Sequence, residues 1–132
     1  MIFVDSNIPM YLVGADHPNK VLSQRLLERA IASRERLVTD AEVFQEILHR
    51  YTAIRRADAI GAAFDALLHV VDDVHDVGLE DVVAARHNLA AFPGLSARDA
   101  LHVALMDRHG VKRVLSLDAG FDVVDHIERV FE

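Results

Sequence analysis

A chain of 132 residues, 52% hydrophobic and 27% charged, is long enough to bury one core and too apolar to stay disordered. Its net charge of −7 argues against a protein that grips nucleic acid over a broad basic face, and the lack of cysteine excludes disulfides and thiolate metal sites. No stretch approaches the ~20 apolar residues of a membrane span and no signal-peptide pattern opens the chain, so a single domain over residues 1–132 in the cytoplasm is expected.

"MIFV" reads as a first strand that stops at Asp5, with Ser6 or Asn7 capping the helix that follows. Residues 20–33 place Val21, Leu22, Leu26 and Ala30 at helical spacing. "ERLVTD" is a short strand ending at Thr39, which is expected to cap a helix over "TDAEVFQEILHRY" with Glu42 closing a capping box. Residues 57–69 read as a helix and residues 70–76 as a strand. "LEDVVAARHNLAAF" is a helix that stops before Pro93-Gly94, and "SARDALHVALMDRHG" is another, ended by Gly110. "VKRVLSLD" and "IERVF" read as the last two strands. Strands alternating with helices imply an α/β layer fold with a mostly parallel sheet of about five short strands and helices on both faces.

Ligands of such sheets bind outside the carboxyl ends of the strands, so acids at those ends are the ones to test for chemistry. Asp5 and Asp118 each follow a strand, and Asp122 lies four residues beyond Asp118. Glu46 sits one turn after Glu42 at the border of an apolar helix face. Asp99 falls in the first turn after Ser96. Each has a mundane reading: turn residue for Asp5 and Asp118, solvated side chain for Glu46 and Asp122, capping-box partner for Asp99. Taken together, Asp5, Glu46, Asp99 and Asp118 are four oxygen ligands at corresponding ends of one sheet. Hard cations such as Mg²⁺ or Mn²⁺ take such carboxylates plus water, and phosphodiester hydrolysis is the economical use of the cluster.

"FVDSN", "VTDAEVFQEILHRY", "SARDALHVALM" and "LSLDAGFD", in this order, resemble a PIN domain, in particular the VapC-type toxins of toxin–antitoxin pairs. The resemblance covers essentially the whole chain. It implies a Rossmann-like sheet and a metal-dependent endoribonuclease, with Asp5, Glu46, Asp99 and Asp118 as its four acids and Asp122 as an accessory acid. It also implies that Ser116 orients the fourth acid, that Asn7 is a polar neighbour of the first, and that the protein forms a homodimer with an antitoxin partner. Arg50, Arg55 and Arg56 are candidate contacts for RNA phosphates, with solvated surface charge as the alternative.

The sequence also allows three rivals. A di-metal helical bundle would use the i,i+3 pairs Glu46/His49 and Asp99/His102, although both histidines read more simply as surface or edge residues. A phosphohydrolase would use Asp5 as nucleophile, but its usual second Asp is Asn7 here. A catalytically inactive module would keep the fold and only bind a partner.

Overall fold

In the computed structural model of the protein, residues 1–131 are described. Five short strands, β1 (Ile2–Val4), β2 (Leu37–Asp40), β3 (Asp73–His75), β4 (Arg113–Leu115) and β5 (Glu128–Val130), form one sheet in the order β3-β2-β1-β4-β5. Every pairing is parallel. Successive strand side chains point to opposite faces, and Ile2, Phe3 and Val4 are each at most 1% exposed, so both faces of the central strand are covered. This is the expected α/β layer architecture.

The cover comes from α1 (Asn7–Val13), α2 (Pro18–Ala32), α3 (Ala41–Ala53), α4 (Ile60–Val70), α5 (Leu79–Ala91) and α6 (Ala97–Arg108). α1 packs on α2 and α4, and α5 runs along α6. The helix expected from residue 57 opens as a 3₁₀ turn, Ala57–Ala59, before α4 begins. At the edge of the sheet, His75 closes β3 by stacking on His109 at the end of α6, with ring centroids 3.5 Å apart.

Two helix starts show how local and long-range signals compete. α6 begins as its sequence implies: the Ser96 hydroxyl accepts the Asp99 N–H at 3.1 Å. α3 begins one residue later than expected, because β2 keeps pairing through Asp40, which lies opposite His75. Thr39 therefore stays in the strand and donates its hydroxyl to the Val4 carbonyl at 2.8 Å, while Asp40 caps α3 by accepting the Val43 N–H at 2.9 Å. The Thr39–Glu42 capping box does not form. Gly110 follows the end of α6 at φ +70°, a left-handed conformation that favours glycine.

With all strands parallel, their carboxyl ends share one rim of the sheet. The chain leaves β1 toward β2 and β3, then returns past it to β4 and β5. The order of strands thus reverses between β1 and β4, the point at which sheets of this kind offer a ligand crevice.

Candidate active site

The register of β1 and β4 sets Val4 beside Leu115, which brings Asp5 next to Ser116. The Ser116 hydroxyl donates to Asp5 Oδ2 at 2.7 Å and accepts the Asp118 N–H at 3.0 Å. Asn7 donates through Nδ2 to both Asp5 Oδ2 (3.2 Å) and Ser116 Oγ (3.0 Å), and its Oδ1 accepts the Leu117 N–H. The Ser6 N–H closes on Asp5 Oδ1 at 2.8 Å. Ser116 thus touches two of the acids, the side chain of Asp5 and the backbone of Asp118. Asn7 supplies amide bonds where a nucleophile mechanism would want a second acid.

The first turn of α6 carries Asp99 to the same crevice, and Asp118 arrives at the head of a 3₁₀ turn, Ala119–Val123, accepting the Gly120 N–H at 2.8 Å. A Cβ on Gly120 would stand 3.1 Å from Asp118 Oδ1 and 3.3 Å from Asp99 Oδ2. The two carboxylates therefore border one small space, where an added methyl would force a neighbour to give by a few tenths of an ångström. Gly120→Ala is expected to weaken Mn²⁺ binding while leaving the urea midpoint near that of the parent, as calorimetry and denaturation would record.

Glu46 enters from α3. The Ser6 hydroxyl donates to its Oε2 at 2.7 Å, and its Oε1 lies 2.5 Å from His102 Nε2. The other ring nitrogen, Nδ1, lies 2.7 Å from Asp40 Oδ2, and both His102 and Asp40 are 0% exposed. This corrects the reading of His102 as a surface or edge histidine: it is a core strut between two carboxylates. His49 is exposed, and the five-stranded parallel sheet removes the helical bundle. Asp5, Glu46 and His102 each place one polar atom within 4.8 Å of the others. Both His102 nitrogens already face carboxylates, which leaves neither free for a cation.

Crowding shows in the protonation of the acids. Burial, then the charges of Asp5 and Asp118, push Asp99 up to about 7. Burial also raises Asp5, against the pull of His102 and Ser116, and Glu46 adds to the rise. For Glu46 burial works upward, but His102 and Ser6 outweigh it and hold the carboxyl below its ordinary value. His102 is itself held well above the usual histidine range, Asp40 and Glu46 overcoming its burial. Asp5 and Asp99 thus resist ionising in each other's company, and with the carboxylates of Glu46 and Asp118 they offer oxygen donors that a hard divalent cation fits.

Other expected site residues lie elsewhere. Asp122 does not join the cluster: Arg129 from β5 grips both its oxygens at 2.9 and 3.1 Å, a stronger local partner than the acids one turn away. Arg50 and Arg56 border an open groove of about 540 Å³ that reaches Glu46, whereas Arg55 does not line it. Arg56 is bidentate to Asp58 at 3.1 and 3.2 Å. Arg98, overlooked in the sequence, is exposed and lines the same groove. Its place beside Asp99 in "SARD" was the available signal.

The PIN domain family matches residues 2–127. Ribonuclease VapC13 of Mycobacterium tuberculosis is 58% identical over 130 residues, which span 98% of this chain and 99% of that protein. Ribonuclease VapC23 of the same species is 40% identical over 118 residues, 89% of this chain and 93% of the relative. Among solved structures, M. tuberculosis VapC20, a sarcin–ricin loop cleaving toxin, superposes with a TM-score of 0.81 at 24% identity, covering 100% of both chains. VapBC2 from Rickettsia felis, bound to a DNA fragment from its promoter, gives a TM-score of 0.73 at 12% identity, covering 98% of each chain. The two superpositions are likenesses of fold.

Proposed function

This chain belongs to the PIN domain family, and from that premise we propose that it is a VapC-type endoribonuclease hydrolysing RNA phosphodiester bonds at its acidic crevice. What supports the reading is that Asp5 lies against Glu46 and His102, while Asp99 and Asp118 both border Gly120 and the charges of Asp5 and Asp118 both act on Asp99. Full-length similarity to two VapC ribonucleases supports it.

Asp5, Asp99 and Asp118 would hold Mg²⁺ or Mn²⁺, with Glu46 binding directly or through water. Such a cation supplies Lewis acidity, lowering the pKa of a water and offsetting charge on the phosphodiester. The chain's own residues do the positioning. Ser116, Asn7 and the Ser6 N–H fix both oxygens of Asp5, so its rotamer is set before anything binds. Burial of Asp5 and Asp99 excludes bulk water and strengthens each interaction made there. Arg50 and Arg98, exposed along the groove, are placed to pair with RNA phosphates, and apolar Met10, Tyr11 and Ile54 offer a wall for bases.

The groove is also where an antitoxin segment would cover the site. A homodimer would bury the apolar side chains that α5 leaves exposed, Leu79, Val82 and Val83 among them. Among the described residues no helix is long and apolar enough to cross a membrane, and a cytoplasmic site of action goes with the proposed RNA substrate.

Asp5→Asn is expected to lower RNA cleavage in Mg²⁺ or Mn²⁺ by about a hundredfold or more, given the several kcal/mol a well-held cation contributes. A chelator should abolish cleavage by the parent. Cleavage by the variant at the parent rate would refute the assignment, and inactivity of both with antitoxin binding intact would favour the binding module.

A further inference from the structure

The four-acid site does not account for the buried pair Asp40 and His102 behind Glu46. Asp40, His102 and Glu46 form a continuous chain, with Nδ1 2.7 Å from Asp40 Oδ2 and Nε2 2.5 Å from Glu46 Oε1. Burying such groups is unfavourable unless each is fully bonded, and an apolar side chain of similar size would fill the same space beside Phe3. Packing alone therefore does not account for a histidine here.

The two ends of the chain differ. Asp40 is 0% exposed and its second oxygen is fixed by the Val43 N–H. Glu46 stands at the edge of the groove, with its second oxygen held by the Ser6 hydroxyl. A glutamate has three rotatable bonds, and ordering it costs about 1–2 kcal/mol unless neighbours do so in advance. One bond to each oxygen, the inner one braced against the core, sets the plane of that carboxylate.

We propose that His102 is a positioning residue for the nuclease site: anchored on Asp40, it fixes the Glu46 carboxylate with its remaining lone pairs toward the space shared with Asp5. The proposal rests on the reading that this site takes a divalent cation, and its test reads cation affinity rather than RNA cleavage.

Two variants separate the two bonds. An asparagine amide falls near the Nδ1 position, so His102→Asn keeps the Asp40 contact and loses Glu46. A glutamine amide reaches the Nε2 position, so His102→Gln keeps Glu46. Mn²⁺ affinity by calorimetry, on protein shown folded by circular dichroism, should fall about tenfold in His102→Asn, the usual effect of losing an outer partner of a ligand. It should stay close to the parent in His102→Gln. In a Glu46→Ala background, His102→Asn should have no further effect, because its influence passes through Glu46.

Parent-like or tighter binding by His102→Asn, weaker binding by Gln than by Asn, or an undiminished loss in the Glu46→Ala background would overturn the proposal. If His102→Asn does not fold, nitrogen-15 NMR of the parent decides. A slowly exchanging Hε2 proton coupled to Glu46 supports the strut, and its absence overturns it. A parent that binds Mn²⁺ as described yet cuts no RNA would remove the nuclease reading and leave the strut standing. A parent that binds no Mn²⁺ removes both.

Discussion

Replacing Asp99 with asparagine is expected to abolish RNA cleavage and, in the same protein, to raise the melting temperature of the cation-free form at pH 8. The first effect follows from losing a charged ligand, about a thousandfold in rate if several kcal/mol of charge stabilisation go with it. The second follows from linkage. Asp99 is raised from 3.8 to about 7 by burial and by the charges of Asp5 and Asp118. Below pH 3.8 the folded and unfolded chains both carry the proton, and the group contributes nothing to pH dependence. Between 3.8 and about 7 the unfolded chain has released its proton and the folded chain has not, so stability falls as pH rises. Above about 7 the penalty is complete. Asparagine never pays it, so the gain should be largest at pH 8 and shrink toward zero below pH 4. Saturating Mg²⁺ or Mn²⁺ should reverse the order by stabilising the parent alone. Melting curves at pH 4, 6 and 8, with and without cation, would show this; a variant less stable than the parent at pH 8 without cation would contradict it.

Asp40→Ala carries the largest expected loss of stability, about 3–5 kcal/mol, because it strands a fully buried partner in the core. The aspartate does two things at once, capping α3 through Val43 and facing His102 Nδ1. Against a typical domain stability of about 5–15 kcal/mol, such a loss threatens folding at physiological temperature. Urea unfolding would measure it. A loss of only about 1 kcal/mol, the size of an ordinary cap, would mean the His102 contact contributes nothing.

These two residues also mark where sequence reading succeeds and where it stops. Asp99 is legible because its signals are local: Ser96 three residues earlier sets the start of α6, and the carboxylate must lie in the first turn. Asp5 and Asp118 are legible because short apolar runs end on them, and a parallel sheet brings such ends to one rim. Asp40 ends a strand in the same way, yet Thr39 beside it is also a competent local cap, with Glu42 three residues on to complete a capping box. The choice between them was made by the pairing of Asp40 with His75, 35 positions away in the chain. His102 is harder still. It sits in the buried stripe of α6, where a lone histidine reads as incidental, and its partners lie 62 and 56 residues upstream. Asp122 shows the opposite error: its spacing from Asp118 suggested a shared task, but Arg129 on β5 offers a bidentate pair that local spacing does not reveal.

The proposed chemistry requires a divalent cation bound among Asp5, Asp99, Asp118 and Glu46. Anomalous scattering from crystals soaked in Mn²⁺ tests it most directly. A strong peak between those four carboxylates is the result this account predicts. A peak confined to another group, such as the stacked His75–His109 pair, or none at saturating Mn²⁺, would contradict it.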